Sequence, residues 1–275
     1  DRVARPARHR TAWPSALRTM TDPGRGGPVT VAVCQDTQAR AYDYPETFIE
    51  PTVWYQRRVR PDAGELARAV AVLKAAKTPV IVAGGGVHYS DATEALEAFV
   101  SAHNIPVAAT QAGKSALPWD HPLNLGPIGV PRGEPAKDRC APTAVLLAVG
   151  TRLQDFTTGS WGLFANPERT TIGLNVQAYD ADKHGQMPLM ADARVGLEEL
   201  TAALGDHAAD APAPSAKADW FEKVDALTNA PDGNALPTDM QVVGAVQRGA
   251  QDNTVVMCAA GTMPGELHKL WKADK

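Results

Sequence analysis

The chain has 275 residues, 44% of them hydrophobic and 21% charged, the balance of a folded protein and not of a disordered or fibrous one. Its longest apolar run, residues 141–149, falls well short of the roughly 20 residues a membrane helix needs, so no helical span is expected. The net charge of −4 divides unevenly: residues 1–27 hold six arginines against Asp1 and Asp22, with no lysine, three prolines and three glycines, which reads as a surface connector and not as a nucleic-acid arm.

Along the chain, Pro28-Val-Thr-Val-Ala-Val-Cys34 has the pattern of a buried strand, followed by irregular chain to residue 60. Pro61-Asp62 opens a helix over 62–76, with Leu66, Val70 and Leu73 on one face, and 78–83 makes a strand. Gly84-Gly85-Gly86 leads to Ser90 as N-cap of a helix over 91–103. Strands follow at 106–110, 144–149 and 171–175, and a helix at 195–204. This alternation means an α/β fold, a doubly wound parallel sheet with helices on both faces. Residues 205–218 turn to Ala, Pro and Asp and read as a linker. A helix with Trp220, Phe221 and Val224 comes next, then one begun by Pro237-Thr238-Asp239. Last come a β-branched strand at 254–257, a Gly/Pro turn and a helix face of Leu267, Leu270 and Trp271.

The expected map is therefore the end of one domain at 1–50, a complete central α/β domain at 61–205, and the opening of a third at 219–275. One strand and one helix bury no core, so the flanking domains are incomplete and the chain reads as a piece of a larger protein. Cys34, Cys140 and Cys258 are odd in number and far apart, two of them in expected strands. They are taken as structural thiols in a reducing cytoplasm, with no disulfide framework.

Few residues nominate themselves for chemistry. The triple glycine is not G-x-G-x-x-G and is read first as a tight strand-to-helix crossing, with a nucleotide contact as the lesser alternative. Gln111-Ala-Gly-Lys-Ser-Ala-Leu-Pro118 lacks the first glycine of a P-loop and runs into proline instead of a helix. The histidines have no metal spacing and no G-x-S-x-G occurs, so neither zinc nor a serine nucleophile is indicated. The turn at 261–265 follows an expected parallel strand, where such sheets bind ligands.

Taken together, several stretches resemble the thiamine-diphosphate-dependent enzymes of the acetolactate synthase and pyruvate decarboxylase superfamily. They are Gly27-Pro28-Val29 through Asp36, Ala76-Lys-Thr-Pro-Val-Ile-Val-Ala-Gly-Gly-Gly-Val87, Pro106 through Pro118, His121-Pro-Leu-Asn-Leu-Gly126, and Thr254 through Trp271. Within it, Gln35-Asp-Thr-Gln-Ala-Arg-Ala-Tyr-Asp-Tyr-Pro45 and Cys258-Ala-Ala-Gly-Thr-Met-Pro-Gly-Glu-Leu-His-Lys-Leu-Trp271 are most similar to the trihydroxycyclohexane-1,2-dione hydrolases of myo-inositol catabolism. The resemblance implies a pyrimidine-binding domain ending near 50, a central domain and a diphosphate-binding domain. It implies thiamine diphosphate and Mg²⁺ as cofactors and a small cyclic diketone as substrate. It further implies a cytoplasmic homodimer or homotetramer, with no nucleic-acid or membrane partner. It puts the activating glutamate and the Gly-Asp-Gly metal motif outside this sequence, so no catalytic residue is assigned. It gives Gly261, Thr262, Met263, Pro264, Gly265 and His268 as cofactor-binding, Met263 and Pro264 forming an apolar wall; Leu267 stands where acetolactate synthases have glutamine. The alternatives are a carboligase or decarboxylase of the acetolactate synthase kind and a non-catalytic nucleotide-binding or scaffold module.

Overall fold

A computed structural model describes residues 1–210, 216–231, 233, 235–259 and 261–274. The chain divides into two compact units, Asp1–Val59 and Arg60–Lys275.

In the first unit, β1 (Arg2–Val3) pairs in parallel with β2 (Ala32–Val33). The strand expected over 28–34 is only two residues long because β1 offers no more partners. The stretch expected to be a connector contains α1 (His9–Met20), which buries Ala12 and Ala16 despite an internal Pro14. Spacing of four puts both alanines on one face, and most of the turn-forming residues lie beyond its end, at 23–27.

The second unit is built on β3 (Val80–Ala83), β4 (Val107–Ala109), β5 (Asn124–Pro127), β6 (Val145–Val149), β7 (Thr170–Asn175) and β8 (Met187–Met190). They lie in the order β5-β4-β3-β6-β7-β8, every neighbouring pair parallel. The central strands β3 and β6 are buried at every residue, as continuous apolar runs covered on both faces must be. Successive side chains point to opposite faces. Ile81, Val107, Leu147 and Ile172 therefore pack against α2 (Ala63–Ala75), α3 (Thr93–His103) and α5 (Ala193–Leu204), through Leu73, Phe99, Leu197 and Leu200. Val80, Val82, Leu146 and Ala148 face α4 (Glu134–Cys140) and the residues Leu153, Leu163 and Phe164. The doubly wound sheet is thus present.

Three further helices, α6 (Ala216–Thr228), α7 (Asp239–Gly249) and α8 (Thr262–Leu270), form their own cluster around Trp220, Val224, Val243 and Leu270. Asp62 caps α2 by accepting from the amides of Gly64 and Glu65, and Thr238 and Gln241 close a reciprocal capping box on α7.

Several expectations are corrected. No strand forms at 254–257: these residues are irregular, with Val255 and Met257 87% and 89% exposed, because no described strand lies beside them to take their hydrogen bonds. Ser90 does not cap a helix start. It ends a helical turn at Gly86–Tyr89, its hydroxyl accepts from the Ala193 amide at 3.3 Å, and α3 begins only at Thr93. None of the three cysteines lies in a strand: Cys140 is buried at the end of α4, Cys34 precedes a helical turn, and Cys258 is exposed and packs into no core. The strands β5 and β8 and the helix α4 were not anticipated. Part of the 205–218 linker, residues 211–215, lies outside the described residues.

Candidate functional site

All six strands deliver the chain to one edge of the sheet, the edge at which open parallel sheets bind ligands. The strand order reverses between β3 and β6, and there the backbone fills the crevice itself. The Gly84 amide donates to the Val149 carbonyl at 2.8 Å and the Gly86 amide to the Gly150 carbonyl at 2.9 Å. A Cβ on Gly86 would stand 2.5 Å from Gly150 Cα. The glycines make a crossing with no room for a side chain, and two of their amides are already committed to protein carbonyls.

Beside that crossing lies an open cleft of about 850 Å³. Gln111 reaches it from the turn after β4, Val130 and Arg132 from the loop after β5, and Phe156 from the turn after β6; the start of α8 forms the facing wall. Its charged rim is basic on balance. Glu266 is paired with Lys269 at 2.6 Å and Glu134 with Lys223 at 2.5 Å, which leaves Arg132 and Lys137 without a carboxylate among the described residues.

The six residues nominated from sequence divide between the two sides of α8. Gly261, Thr262, Pro264 and Gly265 line the cleft. Gly261 holds a φ of +139°, a conformation glycine alone adopts readily, and no side chain caps the helix that follows it. Thr262 Oγ1 donates to Asp239 Oδ2 at 3.0 Å, which ties the start of α8 to the start of α7. Residues 262–265 are the first turn of α8 and not a loop. Met263 and His268 do not line the cleft. Met263 packs into the three-helix cluster and His268 is buried, 2% exposed, toward the sheet.

His268 Nε2 lies 3.5 Å from the Ile128 carbonyl. A carbonyl only accepts, so Nε2 carries the proton and the buried Nδ1, which has no partner, presents its lone pair. Burial, and then the charge of Lys114, pushes the imidazole down to about 3, so it is neutral near pH 7; the Ile128 carbonyl opposes this. Lys114, from the segment that a P-loop reading had to reject, donates its ammonium to the His268 carbonyl at 2.8 Å, and burial lowers it to about 8. Thr110 holds that segment by accepting from the Gly113 amide at 3.1 Å.

Gln111, Arg132, Phe156 and Lys114 escaped nomination from sequence. The first three each follow a strand by a few residues, but β5 reads Asn-Leu-Gly-Pro, with no β-branched residue to announce it.

Residues 66–200 match the family described as thiamine pyrophosphate enzyme, central domain. That segment is similar to a thiamine pyrophosphate enzyme central domain. Over the whole chain, proteins named 3D-(3,5/4)-trihydroxycyclohexane-1,2-dione hydrolase are similar to it. The one from Clostridium perfringens (strain 13 / Type A) is 37% identical over 302 residues, covering 100% of this chain and 47% of the relative. That from Clostridium tetani is 34% identical, covering 98% and 46%. The chain spans about half the length of the curated relatives it matches. Benzoylformate decarboxylase from Polynucleobacter necessarius shares the fold of the whole chain, with a TM-score of 0.73, 17% identity, and 49% of its own length covered.

Proposed function

We propose that this chain is part of a thiamine-diphosphate-dependent hydrolase that breaks a C–C bond of a cyclic 1,2-diketone, trihydroxycyclohexane-1,2-dione, and opens its ring to 5-deoxy-glucuronate. In this reading residues 61–205 supply the central domain and 219–275 open the diphosphate-binding one. The observation that carries it is the uncapped N-terminus of α8 facing a basic cleft, in a chain whose whole length is similar to hydrolases of that name.

The residues fit an anionic cofactor group. The first amides of a helix have no intrahelical acceptor and sit at the positive end of its dipole, and Arg132 and Lys137 add charge from across the cleft. Thiamine diphosphate, when bound, supplies the electron sink for C–C cleavage. This chain's part is to place and shield it: Gly261 lets the backbone approach, Pro264 and Phe156 furnish an apolar wall that keeps water out, and Gln111 offers an amide to the substrate's hydroxyls. No group of three or more His, Cys, Asp or Glu side chains converges among the described residues, so in this reading the Mg²⁺ of the intact enzyme is held by other residues. The substrate is then a small polar ring, not nucleic acid or a lipid surface, and among the described residues no helix is long and apolar enough to cross a membrane. Three unpaired cysteines suit a reducing cytoplasm, where the enzyme works as a homodimer or homotetramer.

The test is substrate choice by the intact enzyme. Supplied with thiamine diphosphate and Mg²⁺, it is expected to consume the dione and release a ring-opened acid. Formation of acetolactate from pyruvate, with the dione untouched, overturns the reading in favour of a carboligase.

A further inference from the structure

We infer that the segment 114–119 is a clamp that positions α8, and with it the wall of the cleft, through Lys114 and Trp119. The inference rests on the cofactor reading above only for its functional consequence; the clamp itself is read from the contacts.

A helix ends with carbonyls that lack an amide four residues on. The His268 carbonyl is one of these. Its helical partner is the Lys272 amide, which donates instead to Gln247 Oε1 at 3.2 Å. The Lys114 ammonium takes the vacant place at 2.8 Å, and a cation there also meets the negative end of the α8 dipole. Five residues on, the Trp119 amide donates to the Ala273 carbonyl at 3.1 Å. The indole ring lies edge to face with Phe221 of α6, centroids 4.9 Å apart, and the Lys272 ammonium stands 5.0 Å from its centroid. One short segment after β4 therefore grips both the end of α8 and the chain that follows it, while the other end of α8 opens on the cleft.

The titratable groups facing Lys114 are His268, Lys269 and Lys272. His88 also approaches, its Nε2 lying 2.8 Å from the Lys114 carbonyl. Lys269 and Lys272 are paired with Glu266 and Asp225. No carboxylate lines the space around the ammonium. Covering Lys114 lowers its affinity for a proton, so uncovering it by release of α8 takes one up. As pH rises from about 8 toward 10.5, release becomes harder.

Hydrogen exchange in the intact enzyme tests the clamp. Trp119→Ala is expected to speed exchange in α8 at least tenfold relative to α5, and Trp119→Phe, which keeps an aromatic face, to restore most of the protection. Calorimetry is expected to show thiamine diphosphate binding weakened about tenfold in Trp119→Ala alone. In wild type, the ratio of α8 to α5 exchange should fall between pH 7 and 9.5, and this fall should vanish in Lys114→Met. Unchanged α8 exchange in Trp119→Ala, or a flat pH ratio in wild type where the variant yields too little folded protein, overturns the clamp. Faster α8 exchange with unchanged cofactor affinity upholds the clamp and overturns the cofactor reading of the cleft.

Discussion

Gly85 and Gly86 are neighbours with opposite tolerance. Gly86 faces backbone, with Gly150 Cα 2.5 Å from where its Cβ would be, and backbone cannot swing aside. Gly85 has a φ of −60°, and its Cβ would approach nothing closer than the Ala112 methyl at 3.2 Å, with the Ala112 carbonyl oxygen at 3.4 Å and Tyr89 Cε2 at 3.6 Å in ordinary contact. Gly86→Ala should therefore cost about 1–3 kcal/mol, as overpacking does, while Gly85→Ala should stay within about 1 kcal/mol of wild type. Urea unfolding of the two variants checks the contrast. His268 carries a pH signature of its own. Its folded value of about 3 lies below the ordinary 6.5, so the unfolded chain binds the extra proton between those limits. Stability should fall as pH drops through that window. His268→Gln should flatten this part of the urea-midpoint profile; a profile as steep as wild type assigns the acid sensitivity elsewhere.

At the scale of elements, long periodic or β-branched stretches announced themselves. Val80–Ala83 and Val145–Val149 are covered on both faces and need no alternation, so apolar runs bounded by Gly and Pro are enough, while Thr170–Asn175 is marked by its β-branched Thr-Thr-Ile. The edge strands β5 and β8 were illegible because each holds a proline and owes its place to a neighbour already formed. The opposite error at 254–257 has the same cause: propensity proposes a strand, but only a partner makes one. Of the candidate site, four of the six residues on or just before α8 reach the cleft. Met263 and His268 do not, because a turn that becomes helix rotates successive side chains by about 100°. The two faces of α8 lead to a further prediction. Met263 is partly buried, so Met263→Asp loses a share of the about 1.5–3 kcal/mol that full burial is worth, and its new carboxylate regains about 0.3–1 kcal/mol at the helix start. The net expectation is a destabilised three-helix cluster with a lower Tm, read by differential scanning calorimetry, and not a specific loss of turnover.

Across the whole molecule, the cleft offers a basic wall but the described residues offer no cluster of acidic ligands. Diphosphate held without a bridging divalent cation keeps its repulsion and its hydration. The isolated 275-residue chain should thus show no measurable heat on titration with thiamine diphosphate and Mg²⁺; micromolar binding would relocate the cofactor site. Val255, Val256 and Met257 present two β-favouring valines and backbone amides and carbonyls that have no partner among the described residues, with no proline or charge among them. Such a segment is a template on which a second copy can lay an identical strand, and growth by repetition has no natural stop. Concentrated solutions of the chain should scatter light increasingly with time, and Val255→Lys, a gatekeeper charge on an already exposed position, should abolish that growth without lowering Tm. What reads in one molecule as a strand lacking its neighbour becomes, among many, a seed for fibres.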